Sequence, residues 1–208
     1  QTASAMPELP AWNPAKLSAC EGRSASKELS GSDLFKNFKT YIWTVTAKSK
    51  GTGAGTIGTA VAVAPSVLAT NCLVVGGKDE IKITQDRTTY DAVVSAGDAK
   101  RDTCLLEVKA TLSFTANAVP VAKLDVGTTA YALGNPQGLG LTFSNGIISG
   151  VRRVQGRDFI QTTAPISKGS SGGALIDERG NLLGITTFYL QGGQAMNFAI
   201  PIEDFCKK

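Results

Sequence analysis

The chain has 208 residues, room for one large all-β domain or two small ones, and a chain of this size buries about 70% of its unfolded surface without help from metals or dense cross-links. Lys and Arg number 21 against 17 Asp and Glu, a net charge of +4, and apart from residues 151–153 the basic side chains are scattered among acidic ones, which argues against a nucleic-acid partner. No apolar run approaches the roughly 20 residues of a membrane span, and four cysteines without CxxC spacing in a chain that has no histidine argue against a metal site; no cofactor is expected.

Residues 1–32 are rich in Ala, Ser, Pro and Lys, show no periodicity and read as an arm. The chain opens on Gln1 without a signal-peptide core, as expected of a processed or trimmed form. "SDLFKNF" at 32–38 reads as a short helix capped by Ser32 or Asp33. From Thr40 the texture changes to β-prone runs at 40–47, 57–64, 66–70, 80–84, 90–97, 104–108, 129–134, 141–154, 158–163, 172–177, 181–188 and 196–201. Gly, Pro, Asn and Asp punctuate these runs at the spacing of antiparallel strands. About twelve strands without intervening helices predict a sandwich or a pair of barrels. "PIEDFCKK" at 201–208 closes the chain as a short helix.

The strongest local motif is "KGSSGGAL" at 168–175. A serine that attacks a carbonyl must stand on a tight turn whose backbone N–H groups also face the developing oxyanion, and Gly169, Gly172 and Gly173 permit such a turn around Ser171. The alternative is a flexible polar turn. An even number of cysteines predicts two disulfides in an oxidising compartment, with free buried thiols as the alternative.

"TNCLVV" at 70–75, "DTCLLEV" at 102–108, "LGNPQGLG" before "FSNGIISG" at 133–150, "FIQTTAPISKGSSGGALID" at 159–177, "GNLLGITT" at 180–187 and "MNFAIP" at 196–201 occur in an order that resembles the trypsin-like serine peptidases of the chymotrypsin fold, and within them the HtrA protease domain. The resemblance covers about three quarters of the chain. It implies one protease domain at 40–208, built of two packed six-stranded antiparallel β-barrels at about 40–118 and 119–200 with the active site in the cleft between them; the arm, taken to 1–39, is unlike the family's core. A PDZ module often follows in that family; the sequence ends soon after "FAIP" at 198–201, so none is expected here.

Carried over residue by residue, the resemblance makes Ser171 the nucleophile, Asp102 the buried carboxylate, and the amides of Gly169, Ser170 and Ser171 the oxyanion hole. The base position of the family pattern falls on Leu73, which can neither take nor hold a proton. A Ser–Lys dyad using Lys168 would need a desolvated lysine, whereas the family's basic residue there points out of the site. Cys72 as a nucleophile is disfavoured because strand alternation would send it to the face opposite Leu73. Ile166 is implied as a wall of the primary pocket, with core packing alone as the alternative reading. Thr187 and Phe188 lie on the strand that pairs with substrate, and without an acid at the pocket base small or medium aliphatic side chains are expected.

The resemblance brings positions 73 and 102 together, so Cys72 is expected to pair with Cys104, leaving Cys20 for Cys206. Leu73 is expected to plug the imidazole slot. Asp102 is expected to be held by amides near 72–74 and by the hydroxyl of Thr186 or Thr187. Two functional readings follow. One is a periplasmic or secreted serine endopeptidase inactivated at position 73. The other is a natural pseudoprotease whose cleft holds a peptide or an unfolded protein segment.

Overall fold

A computed structural model describes residues 17–135, 139–167, 169–191 and 194–206, without the side chains of 188–191 and 194–196. Within them β1 (Ile42–Lys48), β2 (Gly55–Ala64), β3 (Val67–Thr70), β4 (Glu80–Gln85), β5 (Thr88–Asp98) and β6 (Thr103–Val108) close one barrel in the order β1-β2-β3-β6-β5-β4. A second barrel, β10-β11-β12-β9-β8-β7, is formed by β7 (Thr129–Gly134), β8 (Thr142–Val154), β9 (Arg157–Thr162), β10 (Ala174–Asp177), β11 (Leu182–Gln191) and β12 (Gln194–Pro201). Every neighbouring pair is antiparallel, and each strand coincides with one of the twelve β-prone runs to within a few residues at its ends.

Alternating side chains on these strands serve three cores. Val45, Ala60, Ala62, Leu68, Ile83 and Leu106 fill the first barrel, and Ala130, Ile148, Ile160, Leu175 and Leu183 fill the second. The other face of the same strands builds the joint between barrels, where Val61, Val63, Ala69 and Leu105 meet Leu133, Ala174, Ile176 and Ile200. Strand β2 is thus buried on both faces, which is why "TAVAVA" shows small and medium apolar residues without polar alternation. Ala60 and Ala62 face the narrow barrel interior, and Val61, Val63 and the last residue, Ala64, face the joint.

The described part of the arm is stitched to the second barrel. Asn181 accepts from the Ala25 amide at 2.6 Å and returns a bond from Nδ2 to Ala25 O at 3.0 Å. Leu29 N donates to Glu178 O at 2.9 Å, and Leu17 is buried in the joint. Two disulfides are formed, Cys20–Cys206 and Cys72–Cys104, with Cα separations of 5.8 and 5.0 Å, within the usual range. Helix α1 (Gly31–Phe38) is capped by Ser30, whose hydroxyl accepts from Asp33 N, so the cap lies two or three residues before the expected Ser32 or Asp33. The chain closes with a 3-10 turn, Ile202–Phe205, that buries Phe205 in the joint.

Position 73 falls on a single helical turn, α2 (Cys72–Val75), where strand alternation had been expected. The turn begins as the β3–β6 ladder ends at the Thr70–Cys104 pair, and Asn71 N-caps it by position. Cys72, Val74 and Val75 are buried against the first barrel.

Candidate active site

A turn with three inward residues leaves one outward. Leu73 is 80% exposed, so its side chain does not plug a buried slot. Its backbone does something else. Leu73 N–H donates to Asp102 Oδ1 at 2.9 Å, which joins the two loops that the Cys72–Cys104 disulfide already fastens.

Asp102 is presented by a tight loop between β5 and β6. The Asp98 carboxylate accepts from the amides of Lys100 at 3.0 Å and Arg101 at 3.1 Å, and Asp102 itself adopts a left-handed φ of 56°. Aspartate is among the few non-glycine residues that tolerate that conformation. Burial pushes its pKa above the ordinary carboxylate value, and the amides of Leu73 and Cys72 and the positive charge of Arg157 offset only part of that effect. The expected amides near residues 72–74 therefore do hold the carboxylate. The expected hydroxyl does not: Thr186 Oγ1 donates to Ser170 O at 3.0 Å instead, and among the described residues no bond joins Thr187 to Asp102.

Ser171 stands half-buried on a turn closed by Ser170 N to Ser167 O and Gly173 N to Ser170 O, both 3.0 Å. Gly169 and Gly172 have φ of 93° and 90°. A side chain at Gly172 would collide with the Thr59 carbonyl, and one at Gly173 with the Leu133 carbonyl, so the motif's glycines are required by space as well as by conformation. Of the three amides expected to form an oxyanion hole, that of Ser170 is committed to Ser167 O. Among the described residues those of Gly169 and Ser171 have no acceptor. Lys168 lies outside the described residues.

Beside the turn is a cavity of about 160 Å³ lined by Ala132, Thr142, Ser144, Ile166, Ser170 and Thr186 among others. Ile166 is among its lining; Thr187 is not, and the Phe188 side chain lies outside the described residues. Among the described residues the lining carries no charge, so the cavity suits an uncharged side chain.

Sequence reasoning missed Thr59. This buried β2 residue grips the serine turn from the first barrel: its amide donates to Ser171 O at 3.0 Å and its hydroxyl to Gly169 O at 3.3 Å. The same hydroxyl accepts from Asn135 N at 3.0 Å, and Thr70 Oγ1 donates to Thr59 O at 2.8 Å. A methyl group added at neighbouring Gly58 would sit 2.7 Å from both γ-carbons of Val74 and 3.3 Å from Ser171 O, so α2 and the serine turn flank the same stretch of β2. A threonine inside an apolar strand carries no motif, and only the packed barrels show its partner.

Residues 58–185 match the family model of the trypsin-like peptidase domain. Escherichia coli "Periplasmic pH-dependent serine endoprotease DegQ" is 36% identical over 162 residues, 73% of this chain and 35% of that protein. Arabidopsis thaliana "Protease Do-like 1, chloroplastic" is 38% identical over 151 residues, 65% of this chain and 34% of that one. The chain thus spans about one third of the length of these relatives. The solved HtrA-type protease AlgW with a tripeptide superposes with a TM-score of 0.76 at 31% identity, covering 84% of this chain and 60% of the other. The two closed barrels, the Ser171 turn between them and these likenesses agree, and the chain belongs to the trypsin-like peptidase family, with HtrA and Deg proteases as its relatives.

Proposed function

We propose that this chain is a peptide-binding cleft of the HtrA type in which acyl transfer stops for want of a base. In this reading Ser171 is the nucleophile, Asp102 the carboxylate that would orient a base, and the amides of Gly169 and Ser171 the oxyanion donors. Leu73 occupies the position of the base, and the chain contains no histidine to replace it. The observation that carries the reading is the bond from Leu73 N–H to Asp102 Oδ1: the two loops meet as a triad would need, but the residue at the base position carries only a hydrocarbon side chain.

Loss of the histidine alone from a serine-protease triad costs about 10⁶-fold in kcat, about 8 kcal/mol of barrier. Binding survives that loss. An inactivated endopeptidase and a natural pseudoprotease end in the same chemistry, an occupied cleft with at most trace turnover. AlgW has been solved with a tripeptide and with a decapeptide, which supports an extended peptide or unfolded protein segment as the ligand here. The uncharged cavity beside Ser170 supports a small or medium aliphatic anchor on it. Two disulfides and relatives named as periplasmic support a periplasmic or secreted location, and among the described residues no helix is long and apolar enough to cross a membrane.

Titration with fluorescent decapeptides carrying Val, Ala or Lys at the central position tests this. Saturable binding that favours Val or Ala, with every peptide intact by mass spectrometry, is expected. Cleavage at an ordinary protease rate, or a preference for Lys, would contradict it.

A further inference from the structure

The loop that presents Asp102 is held from the opposite barrel. Arg157, the first residue of β9, donates from Nη1 to Lys100 O at 3.1 Å and from Nη2 to Arg101 O at 2.7 Å, the two carbonyls immediately before Asp102. The arginine is itself anchored. Its guanidinium carbon lies 4.9 Å from the centre of the Phe159 ring, and Nη2 is 3.7 Å from Asp204 Oδ2 in the closing 3-10 turn, two residues before the Cys206 disulfide. Loop and anchor therefore belong to different barrels, and one side chain spans them.

The loop has reason to need this grip. Asp102 sits at a left-handed φ, and the bond closing the turn behind it, Asp102 N to Ala99 O, is long at 3.3 Å. Asp98 secures the amides of Lys100 and Arg101 from within the first barrel, but their carbonyls find their donors in Arg157. The planar guanidinium fork supplies two N–H groups in fixed geometry, which a lysine ammonium cannot match.

We propose that Arg157 is a positioning residue for Asp102: its fork, anchored on the second barrel, sets the loop that presents the Asp102 carboxylate to position 73. The proposal rests on the reading of Asp102 as the triad carboxylate. The arginine charge also opposes the upward push of burial on the Asp102 pKa, so its loss has a second, electrostatic consequence at the same carboxylate.

The experiment compares Arg157→Gln, Arg157→Lys and, as a surface control, Lys82→Gln. Each is made in the protein itself and together with Leu73→His. One readout is the pH titration of the Asp102 carboxyl carbon by NMR, and the other is the rate at which a serine-directed phosphonate labels Ser171 in the Leu73→His background. Arg157→Gln is expected to raise the Asp102 pKa and to slow labelling about 10- to 100-fold, the scale of a misplaced catalytic group. Arg157→Lys is expected to leave the pKa near that of its parent yet still slow labelling, because a point charge cannot hold both carbonyls. Lys82→Gln, which only breaks an exposed pair with Asp91, is expected to change neither.

A folded, fully disulfide-bonded Arg157→Gln protein with parental titration and parental labelling would overturn the proposal. If that variant does not fold, unchanged labelling in Arg157→Lys overturns it equally. If Leu73→His itself never labels, the triad reading fails, while the carboxyl titration still decides whether Arg157 governs the surroundings of Asp102.

Discussion

Leu73 meets Asp102 through its backbone, and its side chain makes almost no use of the protein around it. An apolar side chain at 80% exposure contributes little to folding, so Leu73→Ala is expected to change stability by no more than about 0.5 kcal/mol in urea denaturation. A loss above about 2 kcal/mol would mean that Leu73 is packed after all. Thr59 is the opposite case, fully buried with its amide and hydroxyl both engaged on the serine turn. Thr59→Val should cost about 1–3 kcal/mol, because the Asn135 amide loses its acceptor and the Gly169 carbonyl its donor. A variant as stable as its parent in the same assay would show that these bonds do not hold the turn.

Asp102 supplies a pH dependence at the same scale. Its pKa is raised above the ordinary 3.8, so the folded protein binds this proton more tightly than the unfolded chain does. Stability therefore falls as pH rises from the unfolded value through the folded one and is level above it. Compared with Asp102→Asn, which cannot ionise, the parent should lose relative stability across that window. Urea melts of both proteins from pH about 3 to about 8 check this. A difference that is flat, or that grows in the parent's favour with pH, would contradict the assignment of burial as the dominant influence.

Among elements, legibility followed length and pattern. Twelve strands were visible because antiparallel barrels space β-branched and aromatic residues between turn formers, and even doubly buried β2 kept a strand's length and composition. Helix α2 was not visible. Four residues carry no helical period, and "CLVV" is a better strand former than helix former, so only the end of the β3–β6 ladder decides its conformation. That error displaced Leu73 from a slot to the surface. The Ser171 turn was legible because its glycines are required by close backbone approach, whereas Thr59 and Arg157 act across the joint, where sequence spacing holds no information. The disulfides followed once positions 73 and 102 were brought together. Cys20–Cys206 spans 186 residues and ties the arm to the closing turn, so the double variant Cys20→Ser, Cys206→Ser should lose about 2–5 kcal/mol. Unchanged thermal unfolding would show the arm to be an ornament on an independently stable domain.

At the scale of the molecule the site is braced in both directions. Thr59 of the first barrel holds the serine turn of the second, and Arg157 of the second barrel holds the aspartate loop of the first. Between them lies an apolar joint in which Val61, Val63 and Leu105 pack on Leu133, Ala174 and Ile176, fixing the relative position of the barrels. Such a frame does not depend on a base, and the proposed binding role rests on it. The most direct measurement is phosphonate labelling of Ser171 followed by mass spectrometry, in the protein as it stands and in Leu73→His. The account predicts no labelling on the time scale of an ordinary serine protease in the first and labelling at Ser171 in the second; rapid labelling of the unmodified sequence would contradict it.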